Sequence, residues 1–310
     1  MSADHILKIF KESVVKNMGP TMAITFNRSK NAFRELCRIY KNSSVKLQRP
    51  PVVYFVSKDE EDEDYEEEAA DVGGPLKEFL SIAVETVLAC NEPQIFEGCE
   101  DHKVPVHSQQ LVLNGYFRMV GQVMAHAIIH GEVWITGLAK PVKEFLSTGC
   151  AESASKVVCL EDVPDLDVWQ VLKHMADVDE SEISSLNSDE KVNNLMGESG
   201  CSAAILTIHN VAQIAYEIMV YHVIHKRLRE LEEIRKGLDV LELNSLLCDH
   251  PKVVSLVFPT VNEAVIDVDI LRKRIIIDPT TTDSERDNIA YKFLLDYLET
   301  VGSRKEGRFI

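Results

Sequence analysis

Two consecutive glycines followed by proline constrain this chain more than any other feature. They lie in the stretch Asp71-Val72-Gly73-Gly74-Pro75-Leu76-Lys77-Glu78-Phe79. A glycine pair gives a turn with free access to positive φ. Pro75 then occupies a first-turn position, where a helix tolerates a missing N–H. Beyond it, apolar residues fall at Leu76, Phe79, Leu80, Ala83, Val84, Val87 and Leu88. That spacing of three and four predicts a helix with one buried face. Ahead of the turn, Asp59 to Glu68 is an almost unbroken acidic run. It reads as a solvated, disordered loop, with docking of a basic partner as the alternative. Ca²⁺ binding is disfavoured because the run lacks the glycine and ligand spacing of a calcium loop.

The rest of the chain reads as mainly α with small strands. A short amphipathic helix over 4–17 ends at Gly19-Pro20, and Met22 to Phe26 suits a strand. Helical spacing returns from Arg28 to Lys41, and Val52 to Val56 is rich in strand formers. Residues 91–105 read as loop. A long helix is expected from Ser108 to His130, with Gly115, Gly121 and Ala125 permitting close approach and Gly131 as its C-terminal cap. Further helices are expected from Pro141, over Val168 to Met175, and over Thr207 to Lys236, the last ended by Gly237. Residues 177–204 are polar and read as loop with a weak helix at best. Short helices at Asn244–Cys248 and Pro251–Phe258 and a strand or turn near Val265 follow, then a helix from Ser284 to Val301.

The totals exclude several function classes. At 310 residues the chain can bury a good core. A net charge of −17 argues against sequence-independent nucleic-acid binding and against an anionic membrane surface. No signal peptide and no apolar run of membrane-spanning length are visible. The seven cysteines form no Cys-x-x-Cys pair, so reduced thiols in the cytoplasm or nucleus are expected.

Few residue patterns in the chain point to chemistry. His126 and His130 are four apart, but no carboxylate stands between them as in zinc hydrolases, and His222 and His225 are only three apart. Core or surface histidines are the expected reading, with no metal and no cofactor. No Gly-rich nucleotide loop and no Gly-x-Ser-x-Gly elbow is present. The adjacent Glu161 and Asp162 suit helix capping better than acid–base work. Among the thiols, Cys90 and Cys150 follow helix ends, the wrong dipole pole for a thiolate. Cys201, in Gly200-Cys201-Ser202, is the nearest to a nucleophile, though an incidental thiol is the simpler reading. No catalytic residue is assigned.

Five landmarks, in order, give the chain a family resemblance. They are Phe26-Asn27-Arg28; Val53-Tyr54-Phe55-Val56 ahead of the Asp71, Gly73, Gly74, Pro75, Glu78, Phe79 turn; Phe117 to Ala127; Leu160-Glu161-Asp162-Val163 with Leu166-Asp167; and Ile234 to Leu238. Together they resemble the amino-terminal lobe of HECT-type ubiquitin ligases. That resemblance implies recruitment of a ubiquitin-conjugating enzyme or a substrate, with ubiquitin carried by a cysteine on a separate carboxy-terminal lobe. No Thr-Cys-Phe-type motif occurs in the chain, so that cysteine is expected to be missing here. A catalytically inactive interaction module is the alternative. The implied organisation is 1–58 for the first helices and strands, 59–70 for the acidic loop, 71–301 for the main body and 302–310 for a hinge-like tail. In the family the conjugating enzyme docks on an insert that corresponds here to 177–204. Leu186, Leu195 and Met196 are its only obvious anchors.

Overall fold

The computed structural model describes residues 1–15, 20–42, 46–58, 64–66, 73–264, 292–294 and 296–297. The chain divides into two units, Met1–Pro259 and Thr260–Ile310.

The first unit begins with α1 (Ala3–Val14), capped by Ser2, and β1 (Met22–Asn27), whose Met22, Ile24 and Phe26 face inward. Asn31 caps α2 (Ala32–Tyr40), so this helix starts four residues later than its apolar spacing suggests. β2 (Pro51–Lys58) then pairs parallel with β1, Met22 opposite Pro51 and Phe26 opposite Phe55. Parallel pairing requires a crossover, which α2 supplies. β3 (Asp64–Glu66) adds an antiparallel third strand with Val56 opposite Glu66. These three residues belong to the acidic run expected as loop. Residues 59–63 and 67–70 of that run lie outside the described residues.

The main body follows: α3 (Gly74–Ala89), the short pair β4 (Phe96–Glu97) and β5 (Val104–Pro105), α4 (Gln109–Leu113) and α5 (Tyr116–His126). α6 (Lys140–Thr148), α7 (Ala151–Ser155), α8 (Leu166–Asp177), α9 (Ile183–Ser188) and α10 (Glu190–Ser199) come next. α11 (Val211–Val223), α12 (Leu228–Leu238), α13 (Leu243–Asp249) and α14 (Pro251–Val257) complete the unit. The fold is therefore mainly α with small strands.

Both long helices expected from periodicity are broken. Gly115 at φ +70° separates α4 from α5, and α5 ends in a wide π-turn over Ala127–Gly131. The left-handed residue that closes this turn is Glu132, at φ +53°. Gly131 is needed for space instead, because a Cβ there would lie 2.6 Å from Leu80 Cδ1 on α3. The second long helix starts late, at Val211, and is interrupted by a 3₁₀ turn at His225–Arg227. At that break the buried Arg227 donates Nε–H to Pro105 O at 2.9 Å and reaches the His222 carbonyl and Glu97. Paired in this way, a buried cation is tolerable.

The centre of the core is the crossing of α5 and α12. Gly237 stands in the last turn of α12, one residue before its end, and faces Gly121: a Cβ on Gly121 would sit 2.0 Å from Ile234 O. Small residues at both positions let the two backbones touch. Around this crossing Phe117, Val120, Met124, Leu231, Ile234 and Leu238 are fully buried. A second polar seam ties α2 to α5, with Tyr40 Oη 2.8 Å from His126 Nδ1 and His130 Nε2 2.8 Å from the Leu47 carbonyl.

Of the second unit, α15 (Val261–Ala264) is described, opened by Thr260, whose N–H donates to Glu263 Oε2 at 2.8 Å. Residues 292–294 and 296–297 are helical, within the helix expected from Ser284. The strand or turn expected near Val265 and the tail 302–310 lie outside the described residues.

Candidate docking site

The glycine turn has a structural job. Gly73 sits at φ +82° and no atom crowds a Cβ there, so the requirement is conformational. Gly74 opens α3 and Pro75 stands in its first turn. From that turn Glu78 pairs with Arg28 at 2.9 Å, and the Arg28 guanidinium lies 3.8 Å from the centroid of the Phe55 ring. Phe79, fully buried, packs edge-on to Phe26 at 5.4 Å. These residues dock α3 against the β1–β2 sheet. Asp71 lies outside the described residues.

The insert expected as loop is two helices, α9 and α10. Gly200, at φ +62°, ends the second. Leu186 and Met196 are buried and Leu195 is partly buried against the core. Of the three residues expected as partner anchors, Leu195 keeps the most exposed surface. Val192 and Met196, one turn apart, turn inward as an amphipathic helix requires, and little of their surface is left for a partner.

The apolar side chains that remain outside are others. Ile205 is 68% exposed, Leu166 67% and Ile208 38%. Ile205 and Ile208 sit on a loop held by two asparagines. Asn187 Nδ2 donates to Ile183 O at 3.0 Å and Leu206 O at 2.9 Å, and its Oδ1 accepts the Leu206 N–H at 2.8 Å. Asn210 Oδ1 accepts the Thr207 N–H at 2.7 Å while its Nδ2 donates to Ile205 O at 3.0 Å. Ser202 donates its N–H and its hydroxyl to Glu217, each at 2.9 Å. Leu206, between the two isoleucines, is buried and pins the loop from beneath. Sequence periodicity missed this loop because its order comes from side-chain amides, which leave no apolar pattern.

The surroundings are acidic: residues 165–199 hold nine Asp or Glu against two Lys. The Ser181 hydroxyl and N–H hold Asp179 below the usual carboxylate range, and Lys226 does the same for Glu198. Lys191 bridges Asp167 at 3.3 Å, joining the starts of α10 and α8.

None of the thiols is built as a buried nucleophile. Burial, then the Glu217 carboxylate, pushes the Cys201 thiol up. Burial also raises Cys37. Cys150 alone is lowered, by hydrogen bonds from the Ser153 N–H and hydroxyl. The sequence placed it after a helix end; it is equally the N-cap of α7, which begins one residue later. His126 and His130 are committed to Tyr40 and Leu47, and burial holds both below the usual histidine range. No helix among the described residues is long and apolar enough to cross a membrane.

This helical body and its acidic, apolar-tipped insert have a family. A sequence profile for the HECT-domain (ubiquitin-transferase) matches residues 82–310. The chain belongs to the HECT-domain family. It is similar to proteins named G2/M phase-specific E3 ubiquitin-protein ligase. The relative from Macaca fascicularis is 25% identical over 233 residues, 75% of this chain and 31% of the relative. That from Homo sapiens is 25% identical over 194 residues, 59% and 26%. The Gallus gallus relative is 27% identical over 181 residues, 54% and 24%. The chain thus spans less than a third of the length of these relatives.

Proposed function

We propose that this chain is the amino-terminal, recruiting lobe of a HECT ubiquitin ligase and that a ubiquitin-conjugating enzyme docks on the 205–210 loop. The observation that carries the reading is the exposed Ile205, held out on a backbone fixed by Asn187 and Asn210. An apolar anchor on a preorganised loop binds without a large ordering cost. The excess of acid over base in 165–199 favours a partner with a basic docking face and speeds its approach. Free thiols at all seven cysteines suit the cytoplasm or nucleus.

In this reading ubiquitin transfer depends on a cysteine other than these seven. The thiol environments support that part: the one lowered thiol, Cys150, has no histidine among the causes of its shift. They equally favour an interaction module without chemistry, which makes the same docking prediction.

Binding of ubiquitin-conjugating enzymes to the wild-type chain and to Ile205→Asp tests the docking. The variant is expected to lose at least tenfold in affinity with an unchanged melting temperature. Undiminished binding refutes the assignment. With activating and conjugating enzymes and ubiquitin present, the chain is expected to form no reducible adduct. A thiol-sensitive band lost in Cys201→Ala or Cys150→Ala overturns that expectation.

A further inference from the structure

Two segments far apart in sequence bring three kinds of metal-ligating side chain to one point. His102 lies in the turn between β4 and β5. Cys159 caps a 3₁₀ turn, Leu160–Asp162, that precedes α8, and Asp162 is its last residue. One donor atom from each of the three lies within 4.8 Å of the other two. His102 Nδ1 is 2.7 Å from Asp162 Oδ1, and Cys159 Sγ is 3.2 Å from Asp162 Oδ2. Tetrahedral zinc, with bonds of about 2.0–2.3 Å, separates its donors by about 3.3–3.8 Å. The two contacts to Asp162 are shorter than that spacing, as hydrogen bonds are, and the third separation is within 4.8 Å, so small side-chain shifts bring the donors to it.

The framework around them is fixed. Asp162 is buried, and its Oδ2 accepts the Cys159 backbone N–H at 2.9 Å. That bond orients the carboxylate and leaves Oδ1 facing His102. On the other side, a Cβ at Gly98 would fall 2.4 Å from the His102 carbonyl, which marks how tightly the turn is folded. The next residue, Lys103, is locked by backbone bonds to Gly137 at 3.0 Å and Ala139 at 2.9 Å. Glu161, beside Asp162 in the 3₁₀ turn, is exposed and stands outside the group of three.

We propose that His102, Cys159 and Asp162 form a binding site for a divalent cation of the zinc class, with water completing the coordination. One thiolate, one imidazole and carboxylate oxygens form a donor set for a borderline-soft ion; magnesium and calcium prefer oxygen alone. On binding, the Cys159 S–H bond breaks, a sulfur–metal bond forms and the proton leaves to solvent. The His102 Nδ1 proton, which is donated to Asp162 Oδ1 in the metal-free site, leaves to solvent while Nε2 takes up a proton, so the neutral ring changes tautomer and frees its Nδ1 lone pair for the metal. No oxidation state changes. In the metal-free protein the thiol keeps its proton and donates it to Asp162 Oδ2; a bound cation takes the place of that proton. The ion ties the β4–β5 turn to the start of α8. The histidine pairs at 126/130 and 222/225 take no part. The site has no short-range spacing motif, since residue 102 is far from 159 and 162 in sequence.

Cobalt(II) is the probe, because a cobalt–thiolate bond gives a near-ultraviolet charge-transfer band. Titration of the full chain is expected to give that band with saturation at one equivalent, and zinc should abolish it by displacement. Cys159→Ser should lose the band, His102→Ala should weaken cobalt binding at least tenfold, and Cys99→Ser, in the same turn, should leave both unchanged. Zinc should also raise the melting temperature of the wild type but not of His102→Ala. These two positions are chosen because replacing Asp162 would also remove the cap on the 3₁₀ turn. Absence of the band at one equivalent, its survival in Cys159→Ser, or its equal loss in Cys99→Ser would overturn the site.

Discussion

Replacing Gly121 with alanine tests the packing on which the whole body rests. Glycine to alanine in a helix interior normally stabilises by about 1 kcal/mol. Here the added methyl would meet Ile234 O at 2.0 Å and Gly237 Cα at 2.8 Å. At Gly237 the same change meets Arg118 O at 2.2 Å and Gln122 N at 2.7 Å. Every one of these atoms is backbone, so no rotamer change relieves the overlap. Restoring ordinary contacts of about 3.5 Å moves one helix outward by about 1.5 Å. Overpacking of this kind costs about 1–3 kcal/mol and occasionally more. Separating α5 from α12 also thins the contacts of fully buried Val120, Met124 and Ile234. We expect about 4 kcal/mol of strain and lost packing less about 1 kcal/mol of propensity, a net loss of about 3 kcal/mol. Urea unfolding followed by circular dichroism should read this as a midpoint about 1 M lower for a slope near 3 kcal/mol/M. The control is Gly197→Ala in α10, where nothing lies within 4 Å; it should be neutral or stabilising by up to about 1 kcal/mol. The double variant at 121 and 237 should cost less than the sum, since the first methyl already parts the helices. A Gly121→Ala protein as stable as wild type would refute the crossing described here.

Other perturbations follow from the buried polar groups. Asn187→Ala removes three hydrogen bonds, two of them to Leu206 in the 205–210 loop; it should cost about 1–3 kcal/mol by thermal melting and weaken partner binding. Arg227→Met leaves the Pro105 and His222 carbonyls without their donor and should cost about 3 kcal/mol in urea unfolding. Burial depresses His126, His130 and His222, so the unfolded chain binds more protons below its own histidine value of about 6.5. Stability should therefore fall as pH drops from 7 toward 5, by up to about 1.4 kcal/mol per pH unit for each such histidine. The acid limb should be shallower in His126→Gln; an unchanged slope would contradict a buried neutral ring.

The sequence carried the framework because the framework is apolar. Phe79 and its helical companions announced α3, and Met22, Ile24 and Phe26 announced β1, since burial of one face leaves a period that can be read. Helix breaks were illegible for a different reason. The interruption at His225–Arg227 is set by Arg227 reaching Pro105, more than a hundred residues away in sequence, and no local pattern reports such a contact. Gly237 marks the helix end to within a residue, but its contact with Gly121 is illegible, because only the facing helix shows that the position must be small. The insert fared worst. Leu186 and Met196 are apolar residues in a polar stretch, and for that reason they are buried. Ile205 and Ile208 stand outside because Asn187 and Asn210 fold the loop back on itself, an arrangement visible only in three dimensions.

Amide hydrogen exchange of this chain, alone and with a saturating ubiquitin-conjugating enzyme, tests the recruiting role most directly. The account predicts slowed exchange concentrated in residues 183–210 and at the start of α8 around Leu166, lost in Ile205→Asp. Protection confined to other surfaces, or binding with no change at 183–210, would contradict it.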